Sequence, residues 1–68
     1  MKVLFENSNQ ERREIGVCNS KEEAYEIITR FLNQHNYRAY YYNVSMYEDY
    51  ERVDVGSWSE FFYIYYND

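Results

Sequence analysis

The sequence predicts a two-layer α+β domain, in which one amphipathic helix packs on one face of an antiparallel sheet of four to five strands. One segment repeats its apolar residues at helical spacing, and the segments on either side alternate in steps of two. The connections are too short for parallel crossovers, which favours antiparallel pairing. The expected order is β-β-α-β-β, with a fifth strand left open.

The length of 68 residues predicts a single small domain spanning positions 1–68. Ten Tyr, four Phe and one Trp provide large apolar surfaces in a chain with few aliphatic side chains. The single cysteine excludes an internal disulfide. We therefore expect aromatic rings to supply much of the buried surface.

Two alternating segments around a polar cluster predict a hairpin at the start of the chain. Residues 2–6 alternate weakly, and Ile15 and Val17 alternate in the second segment. Residues 7–10 (Asn-Ser-Asn-Gln) are turn formers whose side chains bond nearby backbone groups. Gly16 lies inside the second strand and indicates a bulge or the close approach of another element.

The clearest element is a helix that begins at a capping box, Ser20-Lys21-Glu22-Glu23. In this motif the hydroxyl of Ser20 accepts from the Glu23 amide, and the Glu23 carboxylate reaches back. The apolar residues that follow form one helical face: Ala24, Ile27, Ile28, Phe31 and Leu32. Asn36 favours the left-handed conformation that ends a helix, so we expect about fourteen helical residues before it.

The tyrosine-rich segments after the helix predict strands, since aromatic residues have high strand propensity. Positions 39–47 alternate, residues 48–51 (Glu-Asp-Tyr-Glu) predict a polar turn, and Val53 and Val55 predict a short strand. Residues 58–66 predict a last strand with aromatic side chains on both faces. Because one helix covers only part of such a sheet, we expect tyrosine-rich surface to face water.

The sequence favours no catalytic, metal-binding or cofactor-binding site. His35 is the only histidine, and no cysteine lies at a spacing that completes a zinc set with it. We interpret it as a cation favoured by the helix dipole, and Cys18 as a small buried thiol at a strand end. Gly16 and Gly56 are the only glycines, which excludes a glycine-rich phosphate loop. The expected protein is therefore not an enzyme.

The net charge of -5 disfavours direct binding to nucleic acid. Bases stack on aromatic rings, but the affinity comes mainly from cations that neutralise phosphates, and here the tyrosine-rich half is acidic. The chain has no apolar run long enough for a signal peptide or a membrane helix. We therefore expect a cytoplasmic protein with no membrane partner.

Carboxylates placed among tyrosines favour a protein partner. Such a surface is complementary to a basic groove built for nucleic acid, and Tyr and Trp dominate protein–protein hot spots. We predict a module that binds a basic nucleic-acid-processing protein as an inhibitor. The predicted contact set comprises Tyr47, Glu48, Asp49, Tyr50, Glu51 and Trp58. For Trp58 a position in the small core is an equal alternative.

The sequence is also compatible with two other functions. An aromatic second face of the sheet favours a structural homodimer, which also stabilises so small a chain. A small-ligand-binding protein is the third alternative, because such pockets need no sequence motif.

The stretch Asp54-Val55-Gly56-Ser57-Trp58-Ser59-Glu60-Phe61-Phe62-Tyr63-Ile64, together with the capping box at Ser20, resembles small uncharacterised accessory proteins of Gram-positive phages and mobile elements. This resemblance implies a non-catalytic protein that binds a host or phage factor, such as a defence nuclease that it inhibits. The shared motifs belong to the fold and assign no functional residues.

Overall fold

The computed structural model describes residues 1–37, 42–56 and 59–66. Its elements are β1 (Lys2–Glu6), β2 (Arg12–Val17), α1 (Lys21–Gln34), β3 (Asn43–Met46), β4 (Tyr50–Asp54) and β5 (Phe61–Tyr65). The strands pair antiparallel in the order β2-β1-β5-β4-β3. The α+β prediction is confirmed, and within the described residues the element order is β-β-α-β-β-β, which adds to β-β-α-β-β the fifth strand that the prediction left open.

The turn between β1 and β2 is closed by the side chain of Asn7, as the cluster of turn formers predicts. Its Oδ1 accepts from the backbone amides of Asn9 (2.9 Å) and Glu11 (3.0 Å). Gln10 takes the left-handed conformation there, at φ 65°. The loop thus satisfies its own backbone donors and holds the two strands in register.

Gly16 has both of the roles that its position in β2 indicates. The register steps from Val3 opposite Gly16 to Leu4 opposite Glu14, so one residue of β2 is extra and the strand is bulged. A Cβ at Gly16 would lie 2.8 Å from Cδ1 of Ile27. The bulge and the missing side chain together let α1 lie close to β2.

Both ends of α1 lie where the sequence predicts them, and one of the two hydrogen bonds of the predicted capping box is shown. Oγ of Ser20 accepts from the amide of Glu23 at 3.2 Å. At the other end Asn36 adopts φ 53°, and the helix stops at Gln34. The face that α1 presents to the sheet includes the buried residues Ala24 and Ile28.

Within the described residues the core between α1 and the sheet is made mainly of aliphatic side chains around Phe62, and the rings of Phe5, Tyr25, Phe31 and Tyr37 pack partly buried against it. The largest fully buried side chains are Phe62, Ile28, Ile64, Val3, Val53 and Val55. Strand alternation directs Val53 of β4 and Phe62 and Ile64 of β5 toward the helix. Tyr63 and Tyr65 alternate with these residues of β5 and point to the opposite face.

The predicted turn over residues 48–51 is wrong in its second half. β4 begins at Tyr50, and the amide of Tyr47 donates to the carbonyl of Tyr50 at 2.9 Å, closing a turn over Glu48 and Asp49. The polar composition of the segment concealed the strand, which is stabilised by pairing with β5. Of the strand predicted over residues 39–47, positions 39–41 lie outside the described residues, and the remainder contains β3.

Candidate functional site

The sheet has one face covered by α1 and one facing away from it. Cross-strand neighbours share a face, so the registers define the second surface, which we call the open face. It comprises Lys2, Leu4, Glu6, Arg12, Glu14, Val17, Asn43, Ser45, Tyr50, Arg52, Asp54, Phe61, Tyr63 and Tyr65. The tyrosine-rich surface expected from the sequence is therefore this face.

Tyrosine rings form a stack that runs from the β3–β4 turn into the open face. The rings of Tyr47 and Tyr50 lie 4.7 Å apart and nearly parallel, at 18°. The rings of Tyr50 and Tyr65, directly opposite each other on β4 and β5, lie 5.0 Å apart at 23°. Tyr47 ends the stack with 48% of its surface exposed, so an aromatic face is presented to solvent in a fixed position.

Arg12 covers the inner part of the open face. Its guanidinium carbon lies 4.0 Å from the ring centre of Tyr63, and its Nε donates to Oε1 of Glu6 at 2.8 Å. The hydrogen bond to Glu6 raises the pKa of Arg12. Tyr63 is only 5% exposed, and burial raises the pKa of its hydroxyl. This part of the face is therefore closed by the protein's own side chains.

A second arginine, Arg52, lies over another ring of the open face. Its guanidinium carbon is 4.6 Å from the ring centre of Phe61. Its Nε is buried and has no hydrogen-bond partner. Together with Lys2, which pairs with Glu14 at 3.6 Å, the two arginines balance the acidic residues of the open face. The excess negative charge of the chain therefore lies elsewhere.

Part of that excess lies at the end of the β3–β4 hairpin. Glu48 and Asp49 are exposed at the turn and form no ion pair with another described residue. They follow the outer residue of the stack, Tyr47, in the sequence. We call Tyr47, Glu48 and Asp49 the hairpin end. It combines an exposed ring with two uncompensated carboxylates.

The structure divides the predicted contact set. Tyr47, Glu48 and Asp49 lie together at the hairpin end, with Tyr50 half-buried beside them on the open face. The prediction that Glu51 contacts a partner is wrong, because this residue is only 3% exposed and points to the helix side of the sheet. Trp58 lies outside the described residues.

Glu51 has a structural environment instead. Its Oε1 accepts from Nζ of Lys21, at the start of α1, at 3.1 Å, and this hydrogen bond raises the pKa of Lys21. Its Oε2 is buried without a hydrogen-bond partner. Because residues two apart in a strand share a face, the spacing of Glu51, Val53 and Val55 in the sequence already indicates that Glu51 points inward. The same step from Phe61 to Tyr63 and Tyr65 would have identified the open face.

Cys18 and His35 do not meet. Cys18 is buried just after β2, whereas His35 caps the far end of α1 with its Nδ1 2.9 Å from the carbonyl oxygen of Phe31. A helix of 14 residues separates them by about 21 Å at 1.5 Å per residue. No group of three or more His, Cys, Asp or Glu side chains in the described residues is arranged to hold a metal ion.

An apolar pocket of ≈ 130 Å³ lies between the end of α1 and the sheet. It is lined by Phe5, Phe31, Leu32, His35, Tyr37, Val55, Glu60 and Phe62. Ligand sites for drug-sized molecules usually measure about 300–1,000 Å³. This pocket is therefore too small for a drug-sized ligand, whereas a more open cleft of ≈ 470 Å³ lies between α1 and β2, lined by residues such as Ile15, Glu23 and Arg30, so the small-ligand alternative stays a prediction.

Comparison of the chain with protein-family models, with curated proteins and with solved structures finds no match. The resemblance to phage and mobile-element proteins thus stays a prediction. Across residues 1–37, 42–56 and 59–66, no helix is both long and apolar enough to cross a lipid bilayer. The geometry of the described residues is the basis for the functional proposal that follows.

Proposed function

We propose that this protein is a non-catalytic binding module whose hairpin end occupies a basic, nucleic-acid-binding surface of another protein. The observation that carries the proposal is the exposed ring of Tyr47, which is stacked on Tyr50 and is followed in the turn by the exposed residues Glu48 and Asp49. The proposed contact set is Tyr47, Glu48, Asp49 and Tyr50, with Glu51 removed because it is buried.

The ring stack supports a role in binding because it reduces the entropy cost of association. A side chain that is already held in place loses less rotamer freedom when a partner covers it. Tyr47 is held by Tyr50, which is in turn stacked on Tyr65 in the middle of the sheet. Tyrosine anchors of this kind are common among the residues that contribute most to protein–protein affinity.

The carboxylates support a basic partner. Glu48 and Asp49 are exposed and carry charges that no described residue neutralises, so their field extends into solvent. Such charges steer a partner of opposite sign and increase its association rate. A surface that binds nucleic acid has that sign, since it neutralises phosphates.

We place the partner in the host of a phage or mobile element, as the resemblance of residues 54–64 and the Ser20 capping box implies. A defence nuclease binds nucleic acid in a basic groove, and a phage or mobile element benefits from inhibiting it. On this proposal the protein acts in the bacterial cytoplasm and needs no cofactor. Face-to-face assembly through the aromatic sheet face is not favoured, because Arg12 already covers Tyr63.

The test is a pull-down from a nuclease-treated bacterial lysate with three immobilised proteins: the wild type, Glu48→Lys/Asp49→Lys, and Glu22→Lys/Glu26→Lys. Glu22→Lys/Glu26→Lys is the matched control, since it makes the same charge change at exposed positions of α1. We expect a basic nucleic-acid-binding protein to be retained by the wild type and the control, to elute at moderate salt, and to be lost from the hairpin variant. Equal retention by all three proteins, or retention of nothing, would contradict the proposal.

A further inference from the structure

The two edges of the sheet are protected to different degrees. Edge strands present unpaired backbone groups, and proteins usually blunt them with charges, bulges or very short strands. In the described sheet the edges are β2 and β3. β2 carries Arg12, Arg13 and Glu14 and a bulge, whereas β3 (Asn-Val-Ser-Met) has neither charge nor bulge.

The exposed apolar side chains are concentrated at the β3 edge. Of the five large hydrophobic residues exposed within the described part of the chain, four lie at positions 42–47. Val44 is 37% exposed and Met46 is 66% exposed, on the helix side of the sheet. An edge with this composition is a surface for pairing with another strand.

The backbone groups at this edge are oriented for pairing. The amide of Tyr47 donates to the carbonyl of Tyr50, and hydrogen-bonded and non-hydrogen-bonded pairs alternate along antiparallel strands. The pairs of Val44 with Val53 and of Met46 with Glu51 are therefore the non-hydrogen-bonded ones. Consequently the N–H and C=O groups of Val44 and Met46 point away from β4, to the side on which no other described strand pairs with β3.

We propose that β3 pairs antiparallel with β3 of a second copy of this chain, with Ser45 opposite Ser45 across a two-fold axis. In this register Val44 of one copy and Met46 of the other exchange both backbone hydrogen bonds, and the two-fold axis repeats the exchange. The two five-stranded sheets then join into one continuous antiparallel sheet.

A second copy is the occupant because the register is self-complementary. Each Val44 lies beside a Met46, so the exposed apolar side chains cover one another on the helix side. On the open face Ser45 meets Ser45, and Asn43 meets Tyr47 of the other copy. β3 has no charged residue, so no like charges stand opposite each other in the paired strands.

The oligomeric state tests the proposal by sedimentation equilibrium of the wild type, Met46→Lys and Val17→Lys. Val17, 60% exposed on β2, is the matched control for an apolar-to-charged change at the other edge. We expect the wild type and Val17→Lys to dimerise at micromolar concentration, and Met46→Lys to raise the dissociation constant by about tenfold or more. Circular dichroism verifies that each variant is folded.

Cross-linking tests the register. In the proposed pairing Ser45 and its symmetry mate form a non-hydrogen-bonded pair with Cα atoms about 4.5 Å apart, a distance that a disulfide spans. Ser45→Cys should form a covalent dimer under mild oxidation. Val44→Cys is the control, since each new thiol would face Met46 and not its own mate. The wild type, with Cys18 buried, gives the background.

Three results would overturn the proposal: a monomeric wild type at about 100 µM, a dimer that Met46→Lys leaves intact, or equal cross-linking of the Ser45→Cys and Val44→Cys variants. The first would leave a strand of another protein as the occupant of the edge, and the second would favour assembly through a different face. Salt separates this proposal from the proposed function. Two chains of charge -5 repel, so dimerisation should strengthen with salt, whereas binding of a basic partner should weaken.

Discussion

Single residues decide how closely the two layers pack. Gly16 is the example, because the space above it is filled by Ile27 of α1. A Cβ there would lie 2.8 Å from Cδ1 and 3.0 Å from Cγ2 of Ile27. Cδ1 is the flexible end of the side chain, but Cγ2 is bonded to Cβ close to the helix backbone, so Ile27 would have to shift.

We therefore predict that Gly16→Ala lowers the free energy of unfolding by about 1–3 kcal/mol, the usual cost of overpacking. Ile27→Val removes Cδ1, so Gly16→Ala should cost less in that background than in the wild type. Urea denaturation of the four proteins of this double-mutant cycle measures the difference. Equal costs in the two backgrounds would show that Ile27 is not the obstacle.

Glu51 shows that the surroundings of a residue, and not its charge alone, determine whether its side chain is exposed to a partner. Its charge and its place in an acidic segment predicted a partner contact. Strand alternation instead turns it inward with Val53, where it pairs with Lys21. Composition identifies which residues are available for binding, but the register of β4 determines which of them reach the surface.

At the scale of elements, α1 shows how far local sequence can define structure. Its start, its end and its buried face agree with the capping box, with Asn36 and with the apolar spacing. Each of these signals acts between residues a few positions apart, so the sequence reports them directly.

The strands after α1 were predicted less well. β4 was expected to begin near Val53 but begins at Tyr50, since its first residues are held by pairing with β5. Strand order and the face covered by α1 also depend on contacts between distant parts of the chain. For the same reason the hairpin end was predicted from local composition, whereas the arginines of the open face were missed.

Loss of the helix cap should be measurable. We predict that Ser20→Ala lowers the free energy of unfolding by about 1 kcal/mol, because the Glu23 amide loses its acceptor. Ser20→Asp keeps an oxygen acceptor at the same position and should retain most of the stability. Chemical denaturation followed by circular dichroism compares the variants, and an equal loss in both would contradict a capping role.

At the scale of the whole molecule, the buried Tyr63 and the partly buried Tyr25 link stability to pH. Burial raises the pKa of Tyr63 and of Tyr25 above the ordinary value of 10.0. The unfolded chain therefore releases these protons first as the pH rises. The stability linked to the neutral hydroxyls is complete below pH 10.0 and is lost as the pH rises through the folded-state values.

We predict that the free energy of unfolding falls above a pH of about 10. Raising the pH through the elevated pKa of Lys21 also weakens its contact with Glu51, which acts in the same direction. Tyr63→Phe removes one titrating hydroxyl, so its stability should fall less steeply between neutral and alkaline pH. Denaturation curves over this range test the prediction, and an identical slope in wild type and variant would contradict it.

At the same scale, the excess negative charge lies outside the open face. The open face is balanced by Arg12, Arg52 and Lys2, while Glu48 and Asp49 project from the turn. A net charge of -5 describes the chain, but a partner meets the local field of the hairpin end. This local field is the basis for the proposed function.

The most direct test measures how fast the partner isolated in the pull-down associates with the immobilised wild type and the two charge-reversal variants, at low and at physiological salt. We predict that Glu48→Lys/Asp49→Lys slows association by about tenfold at low salt and flattens its salt dependence, because steering is lost. Glu22→Lys/Glu26→Lys, with the same net charge, should stay close to the wild type. An unchanged rate for the hairpin variant, or an equal decrease for both variants, would contradict binding through the hairpin end.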